Sequence, residues 1–170
     1  MVMPRRVRST VALGGACLLA SAVCFAQVQD VALKAAFIYN FALFTTWPEE
    51  GTPSPTFNVC ASRASPMWDS LLKLNGKPVE GRPWTLTDAR DEDAPPCSIV
   101  ILSGPSMPTA VEPRRGALVI NDGTVEPPGT AAITLIKEAD HIRFDVDTAE
   151  ASRRGLGFSS KLLRLARNVT

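Results

Sequence analysis

The sequence predicts an α/β fold: a single domain with a mostly parallel central sheet flanked by helices, and an antiparallel hairpin near the C-terminus. Three observations predict it. Short apolar runs such as Ile99-Val100-Ile101-Leu102 and Leu118-Val119-Ile120 have the continuity of strands buried on both faces. Segments with apolar residues at helical spacing alternate with them, which is the order of a layered sheet. Residues 131–136 and the alternating segment His141-Ile-Arg-Phe-Asp-Val146 are separated by only four residues, the spacing of a hairpin. The chain has 170 residues and 45% apolar composition, enough for one domain of ordinary size and too few for two.

Residues 1–26 differ in kind from the rest. Arg5, Arg6 and Arg8 form a basic region, residues 11–23 an apolar one, and Cys24-Phe25-Ala26 a cleavage site of small residues before Gln27. This is the pattern of a secretory signal peptide, so the domain is expected over 27–170. The apolar run is too short for a membrane-spanning helix. Neither Cys17 nor Cys24 has the leucine three positions before it that lipidation calls for, and one Arg pair is weak support for twin-arginine export. Cleavage would leave 15 basic against 17 acidic residues, a net charge of −2, which is no footprint for nucleic acid.

Asp30 is placed to cap a helix running to Thr46, with Leu33, Phe37, Phe41 and Phe44 as its inward stripe and Ala36 and Ile38 widening it. Trp47-Pro48 ends it, because the residue before proline avoids helical geometry. Residues 56–61 read as the first buried strand. Ser65-Pro66 opens a helix that turns Met67, Leu71, Leu72 and Leu74 inward and closes at Asn75-Gly76. A turn-rich connector, 77–83, leads to a strand at 84–87, and 88–96 is an acidic, proline-bearing loop. Residues 98–102 form the most apolar run and the expected central strand. Residues 103–115 hold too much proline for more than a short helix. Residues 117–120 are another buried strand, turned by Asn121-Asp122-Gly123.

After the hairpin, Asp147 or Thr148 caps a short helix, Glu150 stands three residues on as in a capping box, and Gly155 stops it. Leu156-Gly157-Phe158 makes a turn. Ser159 or Ser160 then caps a last helix, with Leu162, Leu163, Leu165 and Ala166 inward and Lys161, Arg164 and Arg167 in water.

Two of these segments carry a resemblance. Residues 142–166, IRFDVDTAEASRRGLGFSSKLLRLA, and residues 35–48, AAFIYNFALFTTWP, resemble the C-terminal and N-terminal signatures of the YfiR family. The resemblance implies a small periplasmic α/β domain that regulates an inner-membrane partner, typically a diguanylate cyclase with a periplasmic segment. It further implies competition from a peptidoglycan-associated outer-membrane lipoprotein, and the capacity to form a homodimer. No interface residue transfers from these signatures, which look structural.

The candidate chemistry is sparse. Cys60 and Cys97 are the two cysteines left after cleavage; in an oxidising compartment such a pair favours a disulfide over a metal site, with no Cys-x-x-Cys and one histidine in the chain. A structural staple is the leading reading and a redox switch the lesser one, since proteins similar to this family can carry a second pair that is missing here. His141 is the sole candidate base for Ser103 or Ser106, neither of which has a Gly-x-Ser-x-Gly context. Gly155-Leu156-Gly157 ahead of Ser159 could cradle an anion, and Asp145 with Asp147 could pair as carboxylates, but a turn, a solvated face and a helix cap explain them more simply. Tyr39 and Trp47 are candidate interface anchors, while Arg153, Arg154, Arg164 and Arg167 could meet an acidic partner.

The sequence therefore favours a non-enzymatic periplasmic regulator without cofactor or metal. The alternative is a small-ligand-binding domain with its crevice in the loops after Ala61, Leu102 and Ile120.

Overall fold

The computed structural model describes residues 18–48, 54–104, 114–125 and 130–170, with side chains described from Gln29 onward. The first helix, α1 (Leu18–Phe44), is followed by β1 (Thr45–Thr46), β2 (Phe57–Ala61), α2 (Trp68–Leu72), β3 (Pro78–Val79), β4 (Arg82–Asp88), β5 (Ile99–Leu102) and β6 (Leu118–Asn121). Then come β7 (Ile133–Glu138), β8 (His141–Val146), α3 (Thr148–Arg153), β9 (Gly157–Phe158), α4 (Ser160–Leu165) and β10 (Asn168–Val169).

Eight strands form one sheet in the order β10-β8-β7-β6-β5-β2-β4-β3. Neighbours from β4 to β7 are parallel, β8 runs antiparallel to β7, and β10 is parallel to β8. The central strands explain their own position. Every residue of β2 and β6 is buried, so only a place with cover on both faces suits them. In β8 the alternation is visible instead: Ile142, Phe144 and Val146 are buried while His141 and Arg143 are exposed.

α1 lies across the face that carries Phe144, where Phe37 and Phe41 pack on that ring with centroids 5.9 and 4.8 Å away. α2 and α4 lie beside α1. Burial of this shared layer, with Ile38, Phe41, Leu71, Leu118, Ile133, Leu135 and Leu162 at its centre, is the main favourable term in folding.

Several expectations need correction. Asp30 does not cap α1, which contains no glycine or proline from Leu18 to Phe44 and so has no stop signal there; its carboxylate instead accepts from Lys137 Nζ. The inward stripe is Ala35, Ile38, Phe41 and Ala42, whereas Leu33 and Ala36 face water. The helix is apolar on nearly every side, and the angle at which it meets the sheet selects the buried set. It also ends at Phe44 rather than Thr46, since Thr45 and Thr46 become β1.

In α2, Pro66 precedes the helix rather than opening it, and Leu72 is exposed. In α4, Leu165 is 65% exposed. Inside the 77–83 connector, Pro78-Val79 pairs antiparallel with Arg82-Pro83 across a two-residue turn in which Glu80 and Gly81 both have positive φ. Residues 156–158 are not a simple turn: Gly157 and Phe158 pair antiparallel with Thr46 and Thr45. Most of the proline-rich stretch 103–115, and Ser106 with it, lies outside the described residues, as does the expected signal peptide up to residue 17.

Gly123 is required where it stands. Its φ is +85°, and a Cβ there would sit 2.3 Å from the Leu135 carbonyl oxygen of the neighbouring strand.

Candidate functional site

Cys60 and Cys97 are bonded, with Cα atoms 5.8 Å apart. Cys60 is fully buried in β2, and Cys97 stands two residues before β5, the strand paired with β2. The attachment is reinforced on both sides of Cys97: Ser98 N donates to Asn58 O at 2.8 Å, and Asn58 Nδ2 donates to Pro96 O at 3.3 Å. The bond thus pins the end of the acidic loop to the sheet.

The loops after Ala61, Leu102 and Ile120 gather at the carboxyl ends of three parallel strands, where a crevice could open. Among the described residues, hydrogen bonds tie these loops to one another and to α1. Ser65 Oγ donates to Ser103 Oγ at 3.2 Å, Lys34 Nζ reaches from α1 to Asp122 O at 2.7 Å, and Gly104 N donates to Thr124 Oγ1 at 2.7 Å. Thr124 N donates in turn to Asp122 Oδ1 at 2.9 Å. His141 is exposed at the start of β8, three strands from β5, so the fold does not bring it to Ser103.

Among the described residues, a groove of about 700 Å³ opens over the last strands. Thr134 and Asp145 line it because they alternate with core-facing Ile133, Leu135 and Phe144, and so point to the sheet face away from α1. Asn168, in register with Asp145, lines it as well, with Val125, Ile136 and Lys137 along its sides. Asp145 is engaged within the fold: Arg167 Nε and Nη2 bond its two oxygens at 2.9 and 2.6 Å. That hydrogen-bonded guanidinium holds the Asp145 carboxyl below its usual range, and Arg167 is in turn pushed up. Glu138 also accepts from Arg167, so one guanidinium ties β10 to both strands of the hairpin.

The candidate residues of α3 and α4 likewise hold structure. Asp147 caps α3, its Oδ1 accepting from Glu150 N at 2.7 Å. Glu150 does not reach back as a capping-box partner; its buried carboxylate takes hydrogen bonds from Arg153 and from Arg154 Nε at 2.7 Å. Burial alone would raise the Glu150 pKa, but these two guanidiniums outweigh it and the net shift is downward. The anion cradle considered at Gly155-Leu156-Gly157 has its donors committed: Gly155 N donates to Ser152 O, Leu156 N to Ala151 O and Ser159 N to Phe44 O, each at 2.9 Å. Ser159 Oγ caps α4 through Leu162 N at 3.2 Å.

Tyr39 and Trp47 are both half-buried and packed against the core. Tyr39 Oη donates to Pro78 O at 2.9 Å and its ring meets Trp84 edge-on, while Trp47 Nε1 donates to Ala42 O at 3.2 Å and its ring meets Phe57. The least foreseen relation is between the chain ends. Residues 35–48 and 142–166 meet directly, through β1 on β9, Phe41 on Phe144, and Lys161 over the Phe44 ring at 5.0 Å. Complementary short extended pairs, Thr45-Thr46 and Gly157-Phe158, were the sequence trace of that contact, but two-residue strands carry no periodicity by which to find them.

These features define a class: a disulfide-stapled α/β domain whose first helix is locked to its last helices. Among the described residues no helix is long and apolar enough to cross a membrane. The YfiR/HmsC-like family profile matches residues 31–167, and the chain belongs to that family. No curated protein matches the chain.

Proposed function

We propose that the protein is exported by its first 26 residues and acts in the periplasm as a non-enzymatic regulator. Its partner is the periplasmic segment of an inner-membrane signalling protein, a diguanylate cyclase, which it holds in an inactive conformation. The observation that carries this reading is family membership across residues 31–167. The commitment of Asp145, Asp147, Glu150 and Ser103 to internal bonds is consistent with it.

Repression of this kind requires the domain to bind one state of the partner more tightly than the other; tight binding to both would shift nothing. A peptidoglycan-associated outer-membrane lipoprotein relieves repression by competing for the domain. The disulfide acts as a staple.

The test is deletion of the gene and measurement of cellular c-di-GMP, with affinity capture of the exported protein from detergent-solubilised membranes. Raised c-di-GMP and recovery of a membrane cyclase support the reading; unchanged c-di-GMP with no signalling protein captured refutes it. The groove lined by Thr134, Asp145 and Asn168 favours one second reading, capture of a small polar ligand. A thermal shift with a metabolite, lost in Thr134→Trp, would support that instead.

A further inference from the structure

We infer that the groove over β7, β8 and β10 is a binding site for a neutral saccharide about two pyranose rings long. The inference rests on the second reading above, capture of a small polar ligand there, and supplies the class of that ligand. The floor of the groove is a row of polar side chains. Asn121 is in register with Thr134, Thr134 with Asp145, and Asp145 with Asn168, so the four stand side by side across four strands. With strands ~4.8 Å apart the row runs ~14 Å, a length that two linked rings laid flat would cover. The volume, about 700 Å³, is that of a small-molecule site.

Charge decides against an ionic ligand, because each charged residue lining the groove is already engaged. Asp145 belongs to a chain of two acids and two bases: Arg167 bridges it to Glu138, and Arg143 Nε lies 3.5 Å from the other Glu138 oxygen. Lys137 is on the α1 side of β7 by alternation and meets Asp30 there. Asp147 Oδ1 accepts from the first turn of α3. A charged ligand would shed its water without gaining an unpaired counter-charge among the described residues.

Hydroxyl and amide groups are what the row offers instead. Thr134, half-buried near the middle of it, makes no side-chain hydrogen bond among the described residues. Thr170 Oγ1 reaches Val146 O at a long 3.4 Å, and Asn168 beside Asp145 is exposed. Such groups both donate and accept, as the hydroxyls of a sugar do. Arg167 uses two of the roughly four acceptor positions of the Asp145 carboxylate and fixes its orientation.

Val125, Ala131 and Ile136 supply an apolar wall for the C–H face of a pyranose. Asn121 holds that wall in place: its Oδ1 accepts from Gly123 N at 2.9 Å and its Nδ2 donates to Val125 O at 2.8 Å. None of the described residues lining the groove is aromatic, so the affinity rests on a few neutral hydrogen bonds and is modest.

The test is an amide NMR titration of nitrogen-labelled protein isolated from cells making the full-length chain. Cellobiose and diacetylchitobiose are the neutral probes, spermidine and citrate the charged ones. At least one saccharide is expected to move the Gly123, Thr134 and Asn168 amides with a Kd on the order of 1 mM that added salt leaves unchanged. Thr134→Val keeps the shape, removes the hydroxyl and should weaken binding about three- to tenfold. Thr134→Trp fills the groove and should abolish it, with melting temperatures checking that both variants fold.

If only spermidine or citrate binds there, and Thr134→Trp abolishes it, the groove is a ligand site and the saccharide class is overturned. If none of the four probes moves those amides up to about 20 mM, the class and the ligand-capture reading fall together. Saccharide binding that both Thr134 variants leave unchanged, or that moves amides elsewhere in the fold, overturns the inference as well.

Discussion

Opening the Cys60–Cys97 bond should lower stability by about 4 kcal/mol while leaving the native fold in place. The magnitude comes from the loop the bond closes: with a sequence separation of 37, the chain-entropy relation gives a loss of roughly 13 cal/mol/K in the unfolded ensemble, about 4 kcal/mol at 25 °C. A domain of this size has about 5–15 kcal/mol in total, so the bond decides whether the fold is comfortable or marginal. The native state should survive because Ser98 and Pro96 are still hydrogen-bonded to Asn58 on either side of Cys97.

The assay is urea unfolding of the oxidised protein against the same protein reduced with excess dithiothreitol, followed by far-UV and near-UV circular dichroism. With a slope of about 2 kcal/mol/M, the midpoint should fall by about 2 M. Replacing both cysteines by alanine should lower it slightly more, because Cys60 is fully buried and the missing sulfur leaves a small void. A midpoint shift under about 0.5 M with the bond verifiably open would refute the loop-entropy account. A lost near-UV spectrum at zero urea would refute the claim that the neighbouring hydrogen bonds suffice.

Three further outcomes follow from the geometry. Gly123→Ala should cost at least about 3 kcal/mol, read as a collapsed melting temperature or loss of soluble protein, because strain at positive φ and a clash with the Leu135 carbonyl coincide. Glu150 and Asp145 both have folded-state pKa values below their ordinary 4.5 and 3.8, so their contributions are complete above about pH 5 and disappear as pH falls through the lowered values. The melting temperature should therefore drop on acidification below pH 4.5, and Glu150→Gln should flatten that slope. Arg167→Ala should leave the global melting temperature nearly unchanged, since its pairs are partly exposed, yet hydrogen exchange at Asn168 and Val169 should quicken because β10 loses its tie to Asp145.

The parts that could be read in the chain are those where local chemistry and burial agree. β2, β5 and β6 are short apolar runs with no alternative home, and Asp147, Gly155 and Ser159 mark helix ends by groups whose geometry is local. Reading failed where the partner was remote. α1 is apolar all round, so nothing in its own sequence distinguishes the Leu33 side from the Ile38 side; the distinction is made by the sheet. β1, β3, β9 and β10 have two residues each, too few to show a period. At the candidate sites, the sequence offered polar residues but could not show that Asp145 answers to Arg167 or Glu150 to Arg153, because those pairings depend on turns between them.

The small clip in which Thr45 and Thr46 meet Phe158 and Gly157 bears on how the molecule first acquires its shape. Its two halves lie far apart along the chain, so α1 has no Phe144 or Phe158 to settle against until those residues have been made. Contacts this distant along a chain slow the search for the native arrangement and leave the aromatic side of α1 uncovered meanwhile.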